Sequence, residues 1–345
     1  MTRKNKISLA LIMLVSCLIV VYSMRDIPFK VLLGNLATLN WWWVGVAIGS
    51  MLLSIVLEGL VVKKLLGPGV SQFTLKDALR IPVIEQLFNG ITPFATGGQP
   101  AQLLALMQSG IEAGKATSVL LMKFVVYQAM IVLNFLFCLL IGFDAIKNKV
   151  QVLAWLVILG FVIHFLVIFM LLMIMYYYNF TKAFLLKCLA PLKWLKKEEL
   201  YHKWKKIIIQ KVDSFYAESI RLKNDYKLIV KVSCLTLIQL FFYYIIPYFI
   251  LLALGVSHTN VIKVMIMHVL IVMIISLFPI PGGVGGAEYS FTLVFSAYLT
   301  VPSKLVLAML LWRLITYYMV MFLGIVALGI KPKKITVKGN SSAID

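Results

Sequence analysis

Apolar residues in this chain run in long uninterrupted stretches instead of alternating or recurring every third and fourth position. That is the pattern of helices that meet lipid or other apolar helices on all sides. Such stretches cover about 7–24, 41–62, 116–142, 152–178, 232–254, 261–278 and 303–330. Two more, 82–108 and 280–300, are apolar but carry Pro, Gly and polar residues in their middles. Since about 20 apolar residues cross a bilayer as a helix, the expected fold is an all-α polytopic membrane protein.

Composition agrees with the pattern. Hydrophobic residues make up 62% of the 345 and charged residues 13%, against about 45–50% and about 25% in an ordinary soluble domain. A soluble enzyme, a secreted disulfide scaffold and a nucleic-acid-binding module are excluded. The formal charge of +20 lies mostly in loops. Between Lys182 and Lys231 there are 13 Lys and Arg against five acids. The N-terminal tail (Arg3, Lys4, Lys6), 63–80 (Lys63, Lys64, Lys76, Arg80) and the C-terminal tail (Lys331, Lys333, Lys334, Lys338) are basic as well. Positive-inside bias puts these segments and both termini in the cytoplasm.

Parity then constrains the broken stretches. If 82–108 crossed once, the basic segment would fall outside, so it is expected to re-enter and leave on the cytoplasmic side. A cytoplasmic tail then requires 280–300 to cross. About eight transmembrane helices plus one re-entrant, Pro/Gly-broken hairpin satisfy the charges, although the two interrupted segments could trade roles. The first span has no small-residue cleavage site after it and is expected to be a retained signal-anchor. Residues 1–331 read as one integral membrane domain. Within it, 181–231 is a basic amphipathic cytoplasmic segment with apolar spacing at Ile208, Val212, Phe215 and Leu222, suited to anionic inner-leaflet lipids. Residues 332–345 read as a disordered tail. Of Cys17, Cys138, Cys188 and Cys234, three sit in apolar spans and read as small core residues, with no metal-like spacing.

Irregular backbone at membrane depth is tolerated only where protein buries it or where it lines a cavity, because lipid cannot hydrogen-bond free N–H and C=O groups. The first interruption reads Phe88-Asn89-Gly90-Ile91-Thr92-Pro93-Phe94-Ala95-Thr96-Gly97-Gly98-Gln99-Pro100-Ala101-Gln102. The second reads Phe278-Pro279-Ile280-Pro281-Gly282-Gly283-Val284-Gly285-Gly286-Ala287-Glu288. Placing Pro93 on Pro281 puts Gly97-Gly98 on Gly285-Gly286. This is a weak internal repeat of the kind an inverted-repeat transporter leaves, with half-helix N-termini offered to an anionic group such as a lipid phosphate. The same Pro and Gly residues could instead serve tight helix packing or kinks.

These two motifs, with Trp312-Arg313-Leu314-Ile315-Thr316-Tyr317-Tyr318 in the last span, resemble the signatures of a known family. It is the membrane domain of the lysylphosphatidylglycerol synthase/flippase (MprF type) and its stand-alone bacterial relatives. The resemblance extends over nearly the whole chain. It implies a lipid translocase in a bacterial plasma membrane and is compatible with a homodimer, for which the sequence specifies no interface. The bifunctional members continue into a soluble synthase domain. This chain stops about 15 residues after its last span, so the aminoacyl-lipid substrate is not expected to follow from the resemblance.

Ionisable residues inside spans are the next candidates, because each is costly to insert. Arg313 offers a fork of donors suited to phosphate, or it pairs with Glu288, or a lipid displaces that pair. Tyr317 follows one turn later. Glu288 should sit at a helix start and either cap it or act as counter-charge. Gln99 and Gln102 would offer hydrogen bonds to headgroup hydroxyls, beside Thr92, Thr96 and the glycines. Glu85 is a plausible partner of the first motif, Lys123 either snorkels to the inner interface or lines the cavity, and Glu58 reads as a surface residue. His164 and His268 are expected to be hydrogen-bonded packing residues. Trp41, Trp42 and Trp43 read as an interfacial anchor, while Tyr243-Tyr244 could be belt or cavity wall. No nucleophile motif, His box, metal cluster, cofactor motif or Walker sequence is visible. The expected function is a lipid translocase and not an enzyme, the alternatives being a lipid-modifying membrane enzyme or a scaffold.

Overall fold

The computed structural model of the chain describes residues 28–70, 72–147, 151–189, 198–330 and 332. The expected span at 7–24, Cys17, residues 190–197 of the basic segment and the tail beyond 332 lie outside the described residues. Among the described residues all regular structure is helical. Its helices are α1 (Phe29–Ala37), α2 (Trp41–Leu66), α3 (Leu75–Gly90), α4 (Gly98–Gln108), α5 (Ala113–Lys147), α6 (Gln151–Tyr176), α7 (Tyr178–Cys188) and α8 (Glu198–Asn224). There follow α9 (Tyr226–Tyr244), α10 (Ile246–Ala253), α11 (Val261–Ile275), α12 (Gly286–Phe295), α13 (Pro302–Arg313) and α14 (Met319–Gly329). A π-helical turn, Leu314–Tyr318, joins the last two.

Five described segments are long and apolar enough to cross a bilayer: Trp41–Leu66, Ala113–Cys138, Val157–Tyr176, Tyr226–Ala253 and Pro302–Gly329. The chain is a multi-pass membrane protein. Helix starts follow local chemistry. Asn40 accepts the Trp42 N–H at 3.1 Å ahead of α2. Thr74 and Asp77 form a reciprocal capping box on α3, and Asn260 caps α11. Each side chain satisfies a donor that the first helical turn leaves free. Trp41 and Trp42 are exposed at the start of α2, as an interfacial anchor requires.

α2 is the hub, packed against α9, α3, α10 and α5. α3 lies between α2 and α14, with α4 folded back along it. In lipid, helices associate through close packing, and small residues let the backbones approach. Gly59 of α2 faces the backbone of Ala78 and Leu79, and Gly324 of α14 faces Val83 and Leu87 of α3. The main core runs from Leu39 to Ala327 and joins both ends of the described chain.

Three expectations change here. The segment 280–300 is not one crossing helix: α12 has ten residues, about 15 Å at 1.5 Å per residue, half the apolar thickness. It folds back on α11. Two residues of the apolar stripe of the basic segment face protein: Val212 is buried and Ile208 half-buried against Ile174, Leu171 and Leu121. The Phe215 and Leu222 side chains lie outside the described residues, and Trp204 and Ile220 of the same helix are exposed. Cys138 is buried as expected, whereas Cys234 is exposed on α9.

Outside the spans, Lys182 Nζ and the Tyr178 hydroxyl each donate to Asp213 Oδ1 at 2.7 Å, tying α7 to α8. Those hydrogen bonds hold the Lys182 ammonium above its usual range and the Asp213 carboxyl below its own.

A methyl at Gly324 would sit 2.5 Å from the Val83 carbonyl oxygen and 2.7 Å from Leu87 Cβ, whereas one at Gly45 meets nothing within 4 Å. Gly324→Ala is therefore expected to destabilise the bundle by about 1–3 kcal/mol through overpacking, and Gly45→Ala to leave it unchanged. Thermal unfolding of the detergent-purified variants checks the contrast.

Candidate functional site

The two interrupted segments fold alike. Each is a helical hairpin whose second helix is short: α3 with α4, and α11 with α12. Each tip is a 3₁₀ turn beginning at the proline, Pro93–Ala95 in one and Pro281–Gly283 in the other. Each short helix begins on the second glycine of its pair, Gly98 or Gly286. The two residues after each proline have positive φ: Phe94 and Ala95 both 52°, Gly282 65° and Gly283 59°. The alignment of Pro93 with Pro281 is thus also an alignment of backbone conformation. The two tips touch each other.

In the first tip, the Thr92 hydroxyl donates to the Phe88 carbonyl at 2.6 Å and accepts the Gly97 N–H at 2.8 Å. A methyl at Gly98 would fall on the Asn89 carboxamide, and one at Gly97 would crowd Thr92. Pro93, Phe94, Ala95 and Thr96 are exposed and Gln99 is half-exposed. No side chain caps the N-terminus of α4.

The second tip is closed by charge. Glu288 Oε2 reaches back to accept the Gly285 N–H at 2.6 Å, so it caps α12 as expected. Its Oε1 accepts from Arg313 Nε at 2.6 Å. Arg313 also donates from Nη1 to the Gly282 carbonyl at 3.2 Å and from Nη2 to the Gly283 carbonyl at 3.5 Å. Of the alternatives for Arg313, the structure holds the internal pair. Both partners are buried, and the guanidinium lies over the rings of Trp312 and Tyr317, 5.4 and 5.0 Å from their centroids. The Tyr317 hydroxyl donates to the Gly90 carbonyl of the first hairpin at 3.1 Å while lying against Gly282 of the second. Arg313 and Tyr317 therefore join the last span to both hairpins, where the π turn begins.

Beneath this pair, the Trp312 indole donates to His268 Nε2 at 3.0 Å, and His268 Nδ1 lies 3.2 Å from the Tyr244 carbonyl. Indole only donates, so His268 carries its proton on Nδ1 and gives it to that carbonyl. It is a fully buried packing residue, as expected, and Tyr244 is core and not belt. His164 bonds with Gln128 and Ser276.

Thr92, Pro93, Gly97, Pro281, Gly282, Gly283, Gly285, Gly286, Glu288, Arg313 and Tyr317 are thus brought into one region around the two tips. Gln102, Glu85 and Lys123 are not at the tips. Lys123 neither snorkels nor lines an open cavity: its ammonium, 5% exposed as a residue, donates to Glu58 Oε1 and Glu85 Oε2, both at 2.5 Å, and to Gln102 Oε1 at 3.0 Å. Gln102 is fully buried there and bonds an ammonium, not a headgroup. Glu58 is 7% exposed, so it is not a surface residue. Its position inside the apolar run from Trp41 was the available signal, since a carboxylate mid-span needs a partner.

Two broken hairpins meeting tip to tip, pinned by a buried Arg and a half-buried Tyr among apolar spans, define a class of multi-pass membrane protein with irregular backbone between its helices. Residues 7–324 match the family described as the lysylphosphatidylglycerol synthase TM region, and the chain belongs to that family. Comparison with the curated proteins gives no match.

Arg313→Met would leave Glu288 buried without its cation, at an expected cost of about 3–5 kcal/mol. Adding Glu288→Gln, which removes the orphaned charge but keeps an acceptor for Gly285, should recover most of the loss. Thermal unfolding of the two variants measures this, and equal losses in both would show that the pair is not coupled.

Proposed function

We propose that the chain is a lipid translocase that moves a polar-headed, phosphate-bearing lipid between the leaflets of a bacterial plasma membrane. The observation that carries this reading is the meeting of two Pro/Gly-broken hairpins, with Arg313 and Tyr317 between them, in a chain of the lysylphosphatidylglycerol synthase TM family. Breaks of this kind give a membrane protein its free N–H groups and dipole ends at depth.

The topology we favour has six crossings: the five described spans and 7–24. α3–α4 then enters from the cytoplasmic side and α11–α12 from the outer side, so that the tips meet within the membrane as an inverted repeat. This arrangement keeps 63–80, 182–231 and both termini in the cytoplasm, as their Lys and Arg content asks. Replacing two crossings by one hairpin leaves that parity unchanged.

In this reading the exposed first tip and the uncapped start of α4 receive the headgroup, with Thr92, Thr96 and Gln99 as neutral partners. Nη1 and Nη2 of Arg313 each have a second N–H to offer, and their bonds to the Gly282 and Gly283 carbonyls are longer than the one from Nε to Glu288. A phosphate would take those two nitrogens while Nε stays on Glu288. The basic residues of 182–231 would hold anionic lipids of the inner leaflet nearby. No residue in the reading performs covalent chemistry.

Leaflet exchange in proteoliposomes tests the assignment, using labelled anionic, zwitterionic and glycosylated lipids. Wild-type protein is expected to exchange one phosphate-bearing class faster than empty vesicles. Arg313→Lys, which keeps the charge but loses the fork, should slow it at least about tenfold, the equivalent of one good charge-assisted contact, while eluting as folded protein. Appearance of a new lipid product would replace the translocase by a lipid-modifying enzyme.

A further inference from the structure

The cluster at Lys123 differs from the Arg313–Glu288 pair in one respect: its charges do not balance. Two carboxylates, Glu58 on α2 and Glu85 on α3, share the single ammonium of Lys123 on α5. All three side chains are buried or nearly so, at 9%, 12% and 6% exposure. Lys123 spends its three protons on Glu58, Glu85 and Gln102, so nothing remains to neutralise the second carboxylate. Gln102 Nε2 is buried with no acceptor among the described residues, so this corner has one donor to spare.

Few other groups bear on the balance. From α5, besides Lys123, Tyr127 packs in one cluster with Tyr243 and Tyr244 of α9. Arg80, five residues before Glu85 on α3, is turned to the Ala327 carbonyl and Gln108, and Asp77 is the charge that acts on it. α4 and α14, which flank α3, carry no titratable side chain. On the neighbouring π turn, Tyr317 faces Arg313. An unbalanced buried carboxylate is strongly disfavoured in low dielectric unless it takes a counter-ion or a proton. The Lys123 ammonium already bonds both acids and repels a metal cation there, whereas a proton adds directly to one carboxylate oxygen.

We propose that Glu58 and Glu85, held by Lys123 and Gln102, form a proton-binding site that takes up and releases one proton within the membrane. Glu85 and Gln102 belong to the two helices of the first hairpin, while Glu58 and Lys123 belong to α2 and α5. Protonation changes the charge that ties the hairpin to the bundle. Use of this site to couple lipid movement to a proton gradient rests on the translocase reading; the site itself does not.

The test for the site is pH-difference infrared spectroscopy on the full chain in liposomes, with Glu58→Gln and Glu85→Gln. Wild type is expected to show the carbonyl stretch of a protonated carboxyl, equal to one proton per chain, that disappears as pH rises. It should be missing from either variant, because one acid and one Lys then balance. Both variants remove surplus charge with isosteric side chains and should elute as folded protein. A wild-type spectrum without that band, or a band unchanged in both variants, overturns the proposal, as does stabilisation of wild type by sodium in place of the band. For the coupling, a pH gradient across the vesicles should shift the leaflet ratio by about tenfold per pH unit when one proton moves with one lipid, and should do nothing in Glu85→Gln. Gradient-independent exchange alongside the band would overturn the coupling and uphold the site. Absence of all exchange would count against the translocase reading alone.

Discussion

The constraint on which this structure depends is that lipid offers no partner to a free backbone N–H or C=O. Both hairpins break their helices, so every group released at the tips has to be met from within. The two tips meet it differently. In the first, the Thr92 hydroxyl bridges Phe88 and Gly97 within one short segment. In the second, partners come from afar: Glu288 takes the Gly285 N–H, and Arg313 takes the carbonyls of Gly282 and Gly283. Tyr317 then reaches across to Gly90, so the last span serves both hairpins. The burial of Arg313 follows from this. A guanidinium brings enough donors to satisfy a carboxylate and two carbonyls at once, which no neutral side chain can do.

The shared backbone path has unequal cost at the two sites. Gly282 and Gly283 adopt positive φ without a Cβ penalty. Phe94 and Ala95 follow nearly the same path with side chains, at about 1–2 kcal/mol each. Conformations of this kind persist where their surroundings over-determine them, and here the surroundings are Thr92, the α3–α4 packing and contact with the other tip. The strained tip is also the exposed one, with Phe94 62% exposed. In the relaxed tip Gly283 is buried against Ile275 and Gly282 is half-buried against Tyr317. A pair of motifs related in sequence has thus diverged into an open, strained member and a closed, stapled one.

Much of this was legible in the sequence, for identifiable reasons. Long apolar runs mark spans by length alone, and Pro followed by paired glycines marks a break wherever it occurs, so both breaks and their common register could be read from Pro93 and Pro281. Glu288 as a cap was legible from its place three residues after Gly285. The course of 280–300 was not, because hydropathy does not distinguish a crossing from a helix that turns back after ten residues. Nor was the setting of Lys123. A lysine near a span end reads as snorkelling unless the carboxylates that meet it are known, and Glu58 lies 65 residues away in sequence. At Ile208 and Val212 the amphipathic face meets protein, which the sequence did not distinguish from lipid, since both offer an apolar face the same surface.

The two charge clusters divide the work of holding the hairpins. Arg313 and Glu288 are equal and opposite, fully enclosed, and bonded to the backbone of the second hairpin, which carries no strain at its tip. Such a pair has one low-energy state, and breaking it leaves a bare charge. The cluster at Lys123 grips the first hairpin through Glu85 and Gln102, and its surplus carboxylate is what the proposed proton would neutralise. The balanced cluster therefore fastens the relaxed hairpin, and the unbalanced one fastens the strained hairpin. In the proposed site a change of one proton therefore acts on the hairpin whose tip has non-glycine residues at positive φ. Placing the variable charge on the stapled hairpin instead would have set it against the bonds that satisfy the backbone of the second tip.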